Sequence, residues 1–300
     1  MNRVLIVTGD NNPERKISLI SAREVKKGLE ESGYRVSCFD LKEGYKQLQQ
    51  RIADFDVIFP VLHGEEGEGG DLQKFLSKLD KPFVGGSWKG FKKGWYKIPF
   101  KKFCKKEDIL TSEWRIVKNS KDILNFGFPC VLKTSNGGSS REVIILKSEK
   151  DLSKRRVQLL LNSRYELFIE RFLDGVEVTV GILNNKALPV IEIVPPLGKW
   201  FDYKNKYSGA TKEIINAPSL TEKQKKQVQS VATAIHRNLK LGSLSRTDFI
   251  VSNGKIYVLD VNTIPGLTSE SLFPKEAKAA GLDFSELVKL LVTTAKKKYD

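Results

Sequence analysis

The chain has 300 residues, 40% of them hydrophobic, enough for two or three domains with cores of their own. Lys and Arg number 51 against 36 Asp and Glu, a formal net charge of +15, which favours anionic partners: nucleic acid, an acidic surface or a polyphosphate substrate. Three scattered cysteines, Cys38, Cys104 and Cys130, argue against a disulfide framework or a structural zinc site, and two histidines, His63 and His236, exclude a multi-histidine metal centre.

The N-terminus shows no signal-peptide apolar region, and no apolar run approaches membrane-spanning length, so the expectation is a cytoplasmic protein without membrane contact. Residues 3–8 form a continuous apolar run, the pattern of a buried parallel strand. A polar loop from Gly9 to Lys16 carries Glu14, and a helical period follows from Ile17 to Glu31. Tyr34 to Phe39 reads as a strand, Lys42 to Ile52 as a helix and Val57 to Leu62 as another buried strand. This alternation implies an open α/β domain whose ligands sit at the carboxyl ends of the strands. Two loops occupy such ends, one with Glu14 and one running from His63 through Glu68 to Gly70. By itself His63 reads equally well as a histidine satisfied by a loop carbonyl, and Glu14 alone reads more readily as a solvated loop carboxylate.

Residues 88–106 interleave eight lysines with six aromatics. Phosphate contact and base stacking are one reading. The favoured reading is an amphipathic helix with buried aromatics and solvated lysines, ended by Pro99. Farther on, Cys130 to Lys133 is a strand ending in lysine, followed by a Gly/Ser loop from Thr134 to Ser140 that could close over phosphates or equally turn an ordinary hairpin. Glu142 to Leu146, Glu166 to Glu170, Val176 to Leu183 and Ala187 to Ile193 read as strands, and Glu149 to Leu161 as a helix. Glu170 or Glu177, at strand ends, could hold a ribose hydroxyl or simply charge an edge. Val194 to Ala217 reads as a long loop with four aromatics, Thr221 caps a helix to Leu239, and a helix from Phe284 to Lys297 closes the chain.

Asn253-Gly254 sits between two strand-like runs, a strong hairpin signal because both residues tolerate positive φ. The hairpin puts Asp248 on one strand and Asp260 and Asn262 on the next, the last two sharing a face. Three oxygen ligands there suit Mg²⁺. With Arg246 nearby and a backbone turn at Gly266, the set points to phosphoryl or acyl-phosphate chemistry. A solvated surface hairpin is the competing account.

These pieces together resemble the D-alanine–D-alanine ligases of the ATP-grasp superfamily over nearly the whole chain. Asn262-Thr-Ile-Pro-Gly-Leu-Thr-Ser-Glu-Ser-Leu272 is similar to the family's Asn-Thr-x-Pro-Gly-Met-Thr-x-x-Ser-Leu. Arg246-Thr-Asp248 resembles its Arg-x-Asp, and Phe201-Asp-Tyr-Lys-Asn-Lys-Tyr207 its Tyr-Asp-Tyr-x-x-Lys-Tyr loop. The loops at Glu14, at His63 to Glu68 and at Gly138 to Ser140 match in order.

The resemblance implies an N-terminal open parallel α/β domain (1–95), followed by two α+β subdomains (96–185 and 186–300) that clamp ATP. It implies ATP-dependent ligation of two D-alanines through an acyl phosphate, for peptidoglycan synthesis. Asp248, Asp260 and Asn262 would hold two Mg²⁺, with Mn²⁺ as a substitute. Lys97, Lys133 and Lys206 would contact phosphates. Glu170 and Glu177 would line the nucleotide site, with the backbone of Arg171, Phe172 and Leu173 beside adenine. Arg246 and Gly266 would stabilise the oxyanion. Glu14 would anchor the first D-alanine and link with Ser139 and Tyr207. His63 and Glu68 would orient substrate, and Ser271 and Leu272 would receive the second D-alanine. The family also implies a homodimer, and nucleic acid becomes the less favoured partner.

The chain departs from the pattern at Asp260, where the family has Glu, at Tyr96 in place of its Asp, and at Arg141-Glu142. These positions leave acceptor choice open: D-alanine, D-serine, D-lactate or another amino acid. A weakly active relative that binds nucleotide or nucleic acid is the rival of another class.

Overall fold

The computed structural model describes residues 2–137, 143–196 and 211–299. Strands β1 (Arg3–Thr8), β2 (Arg35–Asp40) and β3 (Val57–Pro60) form a parallel sheet in the order β2-β1-β3. Val4 to Thr8 are all buried, as a strand covered on both faces requires. Helix α1 (Arg15–Glu31) buries Ser18, Ala22, Val25 and Leu29 along one stripe. The second helix is shorter than its sequence pattern: residues 41–43 form a 3₁₀ turn, Gly44 takes φ 99°, and α2 is Tyr45–Ile52. Short helices α3 (Glu65–Glu68) and α4 (Asp71–Leu76) follow β3.

The lysine-rich stretch forms two helices, α5 (Trp88–Trp95) and α6 (Lys97–Lys106), which corrects the expected break at Pro99. The chain turns at Tyr96, whose ψ is 114°. Pro99 sits in the first turn of α6, where its missing N–H costs no intrahelical bond. Phe91, Trp95, Phe100 and Phe103 are buried, so these aromatics are core.

A four-stranded antiparallel sheet follows in the order β4 (Trp114–Val117), β7 (Leu167–Arg171), β5 (Cys130–Thr134), β6 (Val143–Leu146), backed by α7 (Ser120–Phe126) and α8 (Arg155–Leu161). Residues 149–153 form a 3₁₀ turn ahead of α8, where one longer helix is expected. The largest sheet contains β8 (Val176–Leu183), β9 (Lys186–Ala187), β10 (Ile191–Val194), β11 (Lys212–Ile215), β12 (Leu244–Ser252) and β13 (Lys255–Asn262), all antiparallel. Its order is β11-β10-β8-β12-β13, with β9 beside β8. β11 is a correction to the expected structureless loop. The expected strand from Ala187 is split because residues 188–190 leave the ladder.

Helix α9 (Glu222–Asn238) packs under this sheet, through Val228, Ala232 and Ile235. Thr221 accepts from the Gln224 N–H, and Gln224 reaches back to the Thr221 N–H, a reciprocal cap. Helices α10 (Leu272–Ala279) and α11 (Phe284–Thr293) end the fold. α11 closes against α1, where a Cβ built on Gly28 would stand 3.1 Å from Phe284 and Val288. No described helix is long and apolar enough to cross a membrane.

Thr221→Ala should lower unfolding free energy by about 1 kcal/mol, measured in urea. His236 gives a pH test. Its Nε2 lies 3.2 Å from the Gly242 carbonyl and its Nδ1 2.8 Å from Ser245 Oγ. A carbonyl accepts only, so Nε2 carries the proton and Nδ1 accepts from Ser245. Burial pushes the imidazole down to about 4 from 6.5, partly countered by the Gly242 carbonyl. The unfolded chain therefore binds the proton first, and stability is lost as pH falls from 6.5 through 4. Relative to His236→Gln, the wild type should lose about 3 kcal/mol across that window, read by urea titrations at each pH.

Candidate functional site

The site grows from the β12–β13 hairpin. Asn253 (φ 49°) and Gly254 (φ 74°) make the turn, both in the left-handed region the sequence anticipates. The register then sets Asp248 opposite Asp260 and Arg246 opposite Asn262, so all four side chains share one face. An irregularity after Asp248 shifts the pairing to Phe249 with Val258.

Arg246 is 4% exposed and grips Asp248 with both arms, Nε to Oδ1 at 2.9 Å and Nη2 to Oδ2 at 3.0 Å. Burial alone would lower the guanidinium's pKa, but Asp248 drives it above its ordinary value. Thr179 on β8 donates to Asp248 Oδ1 at 2.6 Å, and Asn262 Nδ2 donates to Oδ2 at 3.1 Å. Asp260 Oδ1 accepts the Val261 N–H, and its Oδ2 lies 3.1 Å from Lys97 Nζ. Lys97 also donates to the Gly137 carbonyl at 3.0 Å, and so spans the hairpin and the loop after β5.

Two carboxylates and an amide supply hard oxygen donors on one face. Asn262 turns its nitrogen to Asp248, which leaves its oxygen for another partner; each Asp260 oxygen has a further lone pair, whereas both Asp248 oxygens already accept two hydrogen bonds, so a cation there would displace one of these donors. The donor set fits a divalent cation, although the described residues hold no cluster of three His, Cys, Asp or Glu.

After β13 the chain turns through Gly266. A Cβ there would sit 2.7 Å from Ser271 Oγ, so any larger residue would push the Ser271 side chain aside. Ser271 Oγ accepts from the Thr268 N–H at 3.2 Å and stands at the start of α10. The N-terminal loops approach this turn. Thr263 Oγ1 donates to the Glu68 carbonyl at 3.2 Å, and the Ser269 N–H donates to Glu24 on α1 at 2.5 Å. His63 Nδ1 lies 3.7 Å from Glu68 Oε1, and the His63 N–H is taken by Ser18 Oγ at 2.9 Å. Burial raises the Glu68 carboxyl above its ordinary value, opposed by His63. Asn12 ties the Glu14 N–H to the His63 carbonyl.

These groups line one cleft of about 1040 Å³. It brings together Glu14, His63, Glu68, Lys97, Lys133, Glu177, Arg246, Asp248, Asp260, Asn262, Gly266, Ser271 and Leu272. Arg171, Phe172 and Leu173 are half-buried and are not among its lining residues. Ser139, Lys206 and Tyr207 lie outside the described residues, as does Arg141-Glu142. Glu170 departs from the expectation of a nucleotide-facing carboxylate. It is 2% exposed, does not line the cleft, and is taken up by Lys101, Lys133 and Ser112.

The sequence reading missed several groups. Lys101 reads in the sequence as one of the solvated lysines, although its i+4 spacing from Lys97 puts both on one helix face. Lys275 bridges Glu213 at 2.9 Å and Glu270 at 3.2 Å on the cleft wall. Thr179 and Glu24 carry no local signal, since only strand pairing and helix docking bring them to the site.

A model of the family described as D-ala D-ala ligase C-terminus matches residues 92–293. The D-alanine–D-alanine ligase of Aquifex aeolicus is 35% identical over 97% of this chain and 100% of its own length. That of Clostridium botulinum Loch Maree is 36% identical over 97% of each. A D-alanine–D-alanine ligase from Bacillus anthracis complexed with ATP superposes with a TM-score of 0.85 at 28% identity, covering 98% of this chain and 97% of its own. D-alanyl-alanine synthetase A from Vibrio cholerae gives 0.83 at 26% identity, with 98% of each covered. The chain belongs to the D-alanine–D-alanine ligase family, an enzyme family of ligases, and has its ATP-grasp fold.

Proposed function

We propose that the chain joins two D-alanines with ATP, through an acyl phosphate, to supply a dipeptide for peptidoglycan. The observation that carries this is the shared face of Arg246, Asp248, Asp260 and Asn262, opening beside the Gly266–Ser271 turn in one cleft. The ATP complex of the Bacillus anthracis relative supports the nucleotide.

In this reading the γ-phosphoryl group passes to the carboxylate of the first D-alanine and ADP leaves. The amine of the second attacks the acyl carbon, loses a proton, and the bond to phosphate breaks. Lys97 and Lys133 hold phosphate oxygens, with Lys206 joining them. Glu177 and the backbone of Arg171, Phe172 and Leu173 position the nucleoside. Asp248, Asp260 and Asn262 would hold Mg²⁺, which screens the phosphate charges when bound. Arg246 and the Gly266 N–H face the tetrahedral oxygen. Glu14 takes the first ammonium, with Ser139 and Tyr207 linked to it, and His63 with Glu68 orients that substrate. Ser271 and Leu272, at the start of α10, receive the second D-alanine, with Ser271 on its carboxylate.

The division into 1–95, 96–185 and 186–300 belongs to the same proposal. Strand β8 lies before the second boundary but pairs in the last sheet. The cytoplasmic setting accords with three free cysteines. A homodimer rests on the family likeness.

Phosphate release from Mg-ATP should require D-alanine, and mass analysis should find the dipeptide; release with D-serine or D-lactate instead would reassign the acceptor. Arg246→Ala should lower kcat roughly 100- to 1,000-fold and leave ATP affinity within about threefold. Near-normal turnover in that variant would remove Arg246 from the oxyanion role.

A further inference from the structure

Lys97 and Lys101 lie one turn apart on α6 and project from the same face. Lys97 reaches the cleft. Lys101 stops one layer behind it, 1% exposed. Its Nζ lies 2.6 Å from Glu170 Oε2. The same oxygen accepts from Ser112 Oγ at 2.7 Å. The other oxygen of Glu170 pairs with Lys133, which lines the cleft. A buried carboxylate is thus flanked by two ammonium groups, one hidden and one facing the cleft.

Hydrogen bonding does not require the hidden one. Ser112 already serves Glu170 Oε2, and Lys133 serves Oε1. A third buried ion carries a desolvation penalty that a neutral pair avoids. What Lys101 adds is charge. Lys133 and Glu170 by themselves form a neutral pair, whose carboxylate cancels much of the lysine's field. With Lys101 the cluster carries a net single positive charge. Lys101 and Glu170 are both closed to solvent, so that charge is met from the cleft through Lys133.

We propose that Lys101 is a positioning residue for the nucleotide: it neutralises Glu170 from behind, so that Lys133 meets the anionic ligand at full strength. This rests on the nucleotide reading above. The interaction is with ligand charge and not with ligand shape, so its effect is graded by the number of phosphates.

The test is the Kd of ATP, ADP, AMP and adenosine, the last by competition, for the wild type, Lys101→Met and Lys101→Met/Glu170→Gln. Lys101→Met should weaken ATP roughly 10- to 50-fold, AMP less, and adenosine by no more than about twofold. The double variant removes one charge of each sign and should recover most of the lost ATP affinity. Unchanged ATP binding in Lys101→Met overturns the inference. So does an equal loss for all four ligands, which would mean that Lys101 only packs, and so does a double variant that fails to recover. If Lys101→Met does not fold, Glu170→Gln against the double variant reads the same charge. The double variant should then bind ATP more weakly than Glu170→Gln, and equal affinities overturn the inference. A wild type that binds no ATP overturns the nucleotide reading itself, and this inference with it.

Discussion

The ion pair of buried Arg246 with half-buried Asp248 constrains everything around it. A guanidinium at 4% exposure is tolerable only with a carboxylate held in fixed geometry, and the two-pronged contact supplies that. Removing Asp248 would strand the buried guanidinium at a cost of about 3–5 kcal/mol. The neighbouring strands are built to prevent this. Thr179 on β8 and Asn262 on β13 brace the same carboxylate from opposite sides. Arg246 therefore keeps one orientation, and a fixed cation is what a developing oxyanion needs.

The N-terminal elements meet the hairpin region through two hydrogen bonds of their own. The helices that follow β1 and β3 each bond to the turn after β13. The Glu68 carbonyl takes Thr263, and Glu24 takes the Ser269 N–H. Packing of α11 on α1 fixes this contact from the other side. A substrate cleft thus forms between parts of the chain some 200 residues apart, as the 195-residue separation of Glu68 and Thr263 records.

The hairpin and its shared face were legible in the sequence because both are local. Asn253-Gly254 sets the turn, and the period of two then assigns Asp248, Asp260 and Asn262 to one side. The parallel strands were legible as apolar runs, though the third ends at Pro60, before the run does. What was not legible depends on tertiary neighbours. Lys101 and its exposed neighbours Lys102 and Lys105 look alike in sequence, and only the approach of β7 with Glu170 separates them. Glu170 itself reads as a strand-end carboxylate free to meet ligand. Strand β11 was hidden because four residues carry too little pattern beside a long polar loop.

The net charge of +15 suggests a positive cavity for a polyphosphate, but the charge is distributed otherwise. Among the described residues lining the cleft, carboxylates outnumber Lys and Arg, eight to five. The basic excess lies elsewhere, on lysines such as Lys89, Lys92, Lys93, Lys102, Lys105 and Lys106, all exposed. These can raise the local concentration of an anionic ligand at long range, an effect that salt weakens. At short range the cleft wall is acidic, which suits the ammonium groups of amino acids and a divalent cation better than bare phosphates. Lys97 on Asp260 and Lys101 on Glu170 then have one physical role in common. In the proposed reading each sets an ammonium against a carboxylate that would otherwise repel the phosphate chain, so an acidic cleft could still accept one.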